Sequence, residues 1–139
     1  MIYQYQTGDA KLILPQAAQK DEAADYADAF EEIEAYSLKD ETNAEVLAVF
    51  GFLLTDDEEA ACFAIVSRNI GIRLREMIVF LRQMIPHKMA ELRLKSAVMT
   101  VRQGFVAGAR LARLLGFRAV AQIPDFYLGY DYQLFERRA

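Results

Sequence analysis

Apolar and polar positions recur with two different periods along the chain, and the points where the period changes divide it into elements. Residues 2–6 and 11–14 predict short extended pieces, separated by the turn residues Thr7-Gly8-Asp9 and stopped by Pro15. Across residues 17–34, Ala23, Tyr26, Ala27, Phe30 and Ile33 recur at helical spacing with Asp and Glu opposite, which predicts an amphipathic surface helix. Residues 45–54 and 60–66 are β-branched and aromatic runs flanking Thr55-Asp56-Asp57-Glu58-Glu59, so the pair predicts a β-hairpin. Over residues 71–85, Leu74, Met77, Ile78, Leu81, Met84 and Ile85 form one stripe of a helix that Pro86 is expected to end. Residues 89–100 predict a central strand and residues 101–115 a helix, with Val101, Phe105, Ala109, Ala112 and Leu115 on one face. Gly116 is placed to cap that helix in a left-handed conformation. Two further strands, 117–123 and 130–135, are joined through residues 124–129. The order helix, hairpin, helix, strand, helix, strand pair belongs to the α/β (α+β) class.

A chain of 139 residues, 54% of them apolar, buries a core of ordinary domain size. No internal repeat, linker or low-complexity segment marks a second domain, so a single domain over 1–139 is expected. No apolar run approaches the roughly 20 residues of a membrane helix and no leader pattern opens the chain, so a cytoplasmic protein away from the membrane is expected. Cys62 is the only cysteine; its apolar neighbours predict an inert thiol, and an internal disulfide is impossible. His87, the only histidine, follows Pro86 without partners at ligand spacing, and no metal site is expected. The Gly-x-x-x-Gly spacing at Gly104 and Gly108 predicts close packing of a helix on the sheet.

Net charge is −4 and unevenly placed: residues 1–60 carry 15 acids and 3 bases, residues 61–139 carry 5 acids and 13 bases. Folding either keeps this asymmetry, giving a basic face for an anion and an acidic face for an amine, or neutralises one half against the other. Residues 68–95 are rich in arginine and lysine, but no nucleic-acid motif accompanies them, and nucleic-acid binding is not expected.

Three local signatures follow this element order. Arg110-Leu111-Ala112-Arg113-Leu114-Leu115-Gly116-Phe117 is a helix closing on Gly-Phe before a strand. Tyr127-Leu128-Gly129-Tyr130-Asp131-Tyr132-Gln133-Leu134-Phe135 is a turn glycine before an alternating strand. Arg68-Asn69-Ile70-Gly71-Ile72-Arg73 opens the helix after the hairpin. Together, over roughly residues 40–139, they resemble the GCN5-related N-acetyltransferase (GNAT) superfamily. The resemblance implies a mixed, mainly antiparallel twisted sheet flanked by helices. It also implies a [Gln/Arg]-x-x-Gly-x-[Gly/Ala] turn whose backbone N–H groups and helix dipole receive the pyrophosphate of acetyl-CoA.

Carried onto this sequence, the cofactor-binding residues are Arg68, Ile70, Gly71, Ile72 and Arg73. Arg73 stands where the family has a small residue, and its guanidinium has two outcomes: it obstructs the phosphate, or it reaches round to pair with it. The family's tyrosine acid falls at Ala112, and the fourth-strand run 60–66 contains no carboxylate for a base. Tyr127, Tyr130 and Glu45 are the remaining catalytic candidates.

Two functions therefore stand side by side. One is transfer of an acetyl group from acetyl-CoA to an amine acceptor. The other is a non-catalytic protein that reuses the fold. Residues 44–118, with Ala48-Val49-Phe50-Gly51-Phe52, the altered phosphate turn and Ala112, resemble small bacteriophage proteins of this fold. That resemblance implies a head-assembly or virion-associated role, with phage structural proteins as partners and the virion as location.

Overall fold

The computed structural model describes residues 1–139. In chain order it contains β1 (Ile2–Gln4), α1 (Lys20–Tyr26), β2 (Glu34–Lys39), β3 (Val46–Leu54), β4 (Glu59–Val66), α2 (Leu74–Glu91), β5 (Ser96–Arg102), α3 (Val106–Leu114), β6 (Arg118–Tyr127) and β7 (Tyr130–Arg138). Short 3₁₀ turns occupy Asp9–Leu12, Ala17–Gln19, Ala29–Glu32 and Gly71–Arg73. The strands hydrogen-bond in the order β1-β2-β3-β4-β5-β7-β6. Pairing is antiparallel for β1 with β2, β2 with β3, β5 with β7 and β6 with β7, and parallel for β4 with β5. This is the α+β class that the element order predicts, with the mixed, mainly antiparallel sheet that the resemblance implies.

The chain forms two compact units: Met1–Leu53 with Cys62–Met77, and Leu54–Ala61 with Ile78–Ala139. In the first unit β3 is buried at every position from Val46 to Phe52, which is why its sequence is an unbroken apolar run rather than an alternation. Phe30, Ala35, Val49 and Ile65 are part of its core, and Tyr5 and Phe63 pack against them. One buried polar group ties the start of the chain down. Asp9, 3% exposed, accepts hydrogen bonds from Ser37 Oγ at 2.7 Å and the Gln6 N–H at 3.0 Å and pairs with Lys39 Nζ at 3.2 Å. A buried carboxylate is tolerated only when paired and hydrogen-bonded in this way. In the second unit β5 alternates strictly, with Ala97, Met99 and Val101 buried. A Cβ on Gly108 of α3 would lie 2.7 Å from the Phe105 ring and 2.9 Å from Val101, so the glycine is what permits this close approach.

Several boundaries differ from expectation. Lys11 and Leu12 are not extended: Gly8 at φ +87° opens a 3₁₀ turn that the anchored Asp9 holds. The predicted helix over 17–34 is α-helical only at Lys20–Tyr26 and gives way to a 3₁₀ turn at Ala29–Glu32. It stops because residues from Glu34 onward pair with β1 and β3 as β2, a strand the sequence reading missed. Pro86 does not end its helix: α2 runs on to Glu91, keeping Leu81, Ile85 and Met89 on one buried face. Its end is set by Arg93 at φ +54°, with Leu94 N–H donating to the Met89 carbonyl at 2.8 Å and Arg93 N–H to that of Ala90 at 3.2 Å. Residues 89–91 are therefore helix and β5 begins only at Ser96, while Val101 and Arg102 are strand and α3 begins at Val106. β6 passes through Pro124 by a register irregularity, and the tight turn is Leu128-Gly129, with φ of +50° and +77°.

Candidate functional site

The segment that leaves β4 is the site the sequence singles out. Ser67 is fully buried and fixes its start: its N–H donates to the Leu47 carbonyl at 2.8 Å, and its Oγ accepts the Asn69 N–H at 3.0 Å. The Ile70 N–H returns to the Ser67 carbonyl at 3.2 Å and the Ile70 side chain is buried, so the chain turns sharply around it. Gly71 then adopts φ +52°, a left-handed conformation that glycine takes without steric cost. Arg73 and Leu74 donate back into the turn, to the carbonyls of Ile70 and of Gly71 and Ile72. The N–H groups of Gly71 and Ile72 are left without an acceptor at the start of α2. The turn is open to solvent: a Cβ on Gly71 would meet nothing within 4 Å, and Ile72 is 93% exposed.

The structure gives Arg73 carboxylate partners. Its Nε and Nη2 reach Glu76 Oε2 at 3.0 and 2.8 Å, Nη2 reaches Glu41 Oε1 at 3.3 Å, and Nη1 lies 3.9 Å from Asp40. The guanidinium is thus held among carboxylates and does not cover the turn. The hydrogen bond to Glu76 pushes its pKa up. Glu41, hydrogen-bonded by the Met1 amine and lying near Arg73, is held down to about 2. Burial raises Glu76, but its bonds to Arg73 and the Met1 amine outweigh this and leave it lowered. Arg68 and Arg75 are exposed and engaged in no ion pair, and they flank the open N–H groups in sequence.

Glu45, one of the catalytic candidates, lies just before β3 and accepts a hydrogen bond from Asn69 Nδ2 at 3.0 Å. Its carboxylate braces the turn. Tyr127 and Tyr130 face each other across the β6–β7 hairpin in the second unit. The Arg102 guanidinium lies 3.5 Å above the Tyr130 ring, and Tyr127 packs edge-on to Tyr132 with centroids 6.3 Å apart. Ala112 is fully buried, and its carbonyl accepts from Leu115 and Phe117. Cys62 is half-buried, and desolvation pushes its thiol up to about 12, leaving it a poor nucleophile.

Nothing in the sequence singles out Gln19. Only 8% exposed, it donates from Nε2 to the Ala64 carbonyl at 2.8 Å and accepts the Val66 N–H on Oε1 at 3.1 Å. Beside it, the Arg68 N–H donates to the Leu14 carbonyl at 2.9 Å and Pro15 forms an antiparallel bridge with Ser67. A glutamine between Ala18 and Lys20 reads as an ordinary surface residue, and only the folded chain brings it to β4.

No protein-family profile matches the chain, and no curated protein matches it in sequence. Solved structures do match. A GNAT family acetyltransferase from Elizabethkingia anophelis with acetyl-CoA bound superposes with a TM-score of 0.71 at 17% identity, over 100% of this chain and 97% of that one. A spermidine N-acetyltransferase SpeG chimera, from Vibrio cholerae and hSSAT, gives 0.73 at 11% identity, over 99% and 94%. The ribosomal-protein-S18-alanine N-acetyltransferase of Escherichia coli gives 0.66 at 19% identity, over 99% and 92%. The fold is that of the GNAT acetyltransferases.

Proposed function

We propose that the chain is a CoA-dependent N-acetyltransferase and that the turn Arg68–Arg73 receives the diphosphate of acetyl-CoA. The observation that carries this reading is the open pair of N–H groups at Gly71 and Ile72, with Arg73 drawn aside onto Glu76 and Glu41. An anion there meets two backbone donors, the positive end of the 18-residue α2 and the unengaged Arg68. A side chain at position 71 other than glycine would sit in strained backbone and fill that space. When bound, acetyl-CoA supplies the thioester carbon that an uncharged amine attacks, the acetyl group passing to nitrogen, the sulfur leaving as thiolate and the amine proton being released.

The chain's own share of this reaction is binding and positioning. Holding two reactants in register supplies much of the rate of such a transfer, and no side-chain acid is required for the step to balance. The first unit carries twelve acidic and six basic side chains, a field that favours a cationic acceptor. Spermidine is the natural first trial, since one structural neighbour is a spermidine N-acetyltransferase. None of the three neighbours named above is a virion protein, and the head-assembly alternative draws no support from them.

Calorimetry with acetyl-CoA, using ATP and desulfo-CoA as controls, tests the site. Selective binding of the two CoA compounds over ATP is expected. Arg68→Ala should weaken it about tenfold, the worth of one charge-assisted contact, and Gly71→Arg should abolish it. Absence of binding to the folded protein at millimolar acetyl-CoA, or affinity untouched in both variants, overturns the assignment.

A further inference from the structure

Successive residues of a strand direct their backbone N–H and C=O groups to opposite edges. In β4 the odd-numbered residues face β3, since Thr55 N–H donates to the Glu59 carbonyl and Ser67 N–H to that of Leu47. The even-numbered residues face the other edge. There the Ser96 N–H donates to the Glu58 carbonyl, and β5 pairs with β4 at Glu59, Ala60 and Ala61 and no further. Beyond Ala61, the groups on this edge at Ala64, Val66 and Arg68 are taken by the chain's own N-terminal segment: Gln19 closes the Ala64 carbonyl and the Val66 N–H, and Leu14 closes the Arg68 N–H.

A ligand whose diphosphate sits at Gly71 and Ile72 has one strand edge along which to lay its arm, because the edge toward β3 is hydrogen-bonded. The arm of CoA contains two secondary amides and is built to add to a strand edge as a peptide would. From Val66 back to Cys62 the edge runs roughly 13 Å, at about 3.3 Å per residue. The Gln19 carboxamide presents one N–H donor and one carbonyl acceptor to the donor and acceptor of that edge, which is what an amide of the arm would present.

Resting on the reading of the turn as a CoA site, we propose that Gln19 is an intramolecular gate. Its carboxamide occupies the place of a CoA amide on β4, and an acyl-CoA binds productively only when Gln19 swings out. The closed form lowers apparent affinity by the fraction of molecules in which the gate is open. The gate acts on the arm alone and leaves the diphosphate turn unaffected.

The test compares acetyl-CoA with adenosine 3′,5′-bisphosphate, which lacks the arm, on the intact protein and on Gln19→Ala and Gln19→Met. The gate predicts that acetyl-CoA binds about tenfold tighter to both variants, as expected for an open fraction near one in ten, while the bisphosphate affinity stays the same. In the unsubstituted protein, amide exchange at Val66 follows: acetyl-CoA should replace one partner of this N–H by another and perturb the Gln19 side-chain amide resonances, whereas the bisphosphate should not. This second measurement stands if either variant fails to fold. Acetyl-CoA binding equally tightly to all three proteins, with Gln19 resonances unmoved, overturns the gate and leaves the CoA site intact. Failure of every protein to bind acetyl-CoA overturns both the site and the gate.

Discussion

At Gly116 the backbone φ is +88°, and an added Cβ would lie 2.9 Å from Arg137 Nη1, the group that donates to the Leu115 carbonyl at 2.8 Å. The Phe117 and Gly116 N–H groups return to the carbonyls of Ala112 and Arg113, both at 3.0 Å, which satisfies the end of α3. Gly116→Ala should therefore lower unfolding free energy by roughly 1–2 kcal/mol, the cost of a left-handed non-glycine residue, with further loss if Arg137 is displaced. Urea titration measures this, and an unchanged midpoint would show that the cap carries no strain. This glycine was legible in the sequence because a helical stripe ended at it. Gly71 was singled out through the resemblance, as the glycine of a turn that opens a helix. The partners of Arg73 were not legible: they are Glu76, three residues on, and Glu41, distant in sequence. The partners of Glu45 and Gln19 were hidden for the same cause, since each lies on another element.

Among the elements, the β3–β4 hairpin, α2 and α3 were legible because a buried face imposes a period on sequence, and β3 carries it as a continuous run. What failed was the grammar of ends. Pro86 sits within α2, where it cannot donate to the carbonyl four residues back, that of Arg82. The helix continues because Leu81, Ile85 and Met89 share one buried face, and that burial outweighs one missing hydrogen bond. Pro86→Ala should restore the bond and stabilise the protein by about 1–3 kcal/mol, read as a raised urea midpoint. A lowered midpoint would mean that the proline ring itself is needed for packing. β2 escaped notice because its six residues are claimed by β1 and β3, and no local pattern announces a strand that neighbours on both sides select.

For the whole molecule, folding redistributes the charge asymmetry of the sequence. The acidic turn residues Asp56–Glu59 belong with the second unit, while Arg68, Arg73 and Arg75 belong with the first. The first unit thus has six bases against twelve acids, net −6, and the second ten against eight, net +2, in place of −12 and +8 for the two sequence segments. Acid stability follows from one cluster in the first unit. Glu41 and Glu76 are both held below the ordinary value of 4.5, Glu41 at about 2. A carboxylate lowered in the folded state stabilises it above its unfolded pKa, and that contribution is lost as pH falls through the folded value. The melting temperature should therefore fall between about pH 4.5 and 2, and Arg73→Ala should flatten that limb by removing a cation both acids share. An identical acid limb in the variant would assign the loss to the Met1 amine's bonds to Glu41 and Glu76 or to other carboxylates. Sequence by itself determined the class and most of the helices and strands, because burial periodicity is local, and its motifs singled out the turn that opens α2. Only the tertiary structure decided where helices end, which way Arg73 turns and what fills the edge of β4, because each depends on hydrogen bonds and ion pairs between residues far apart in the chain.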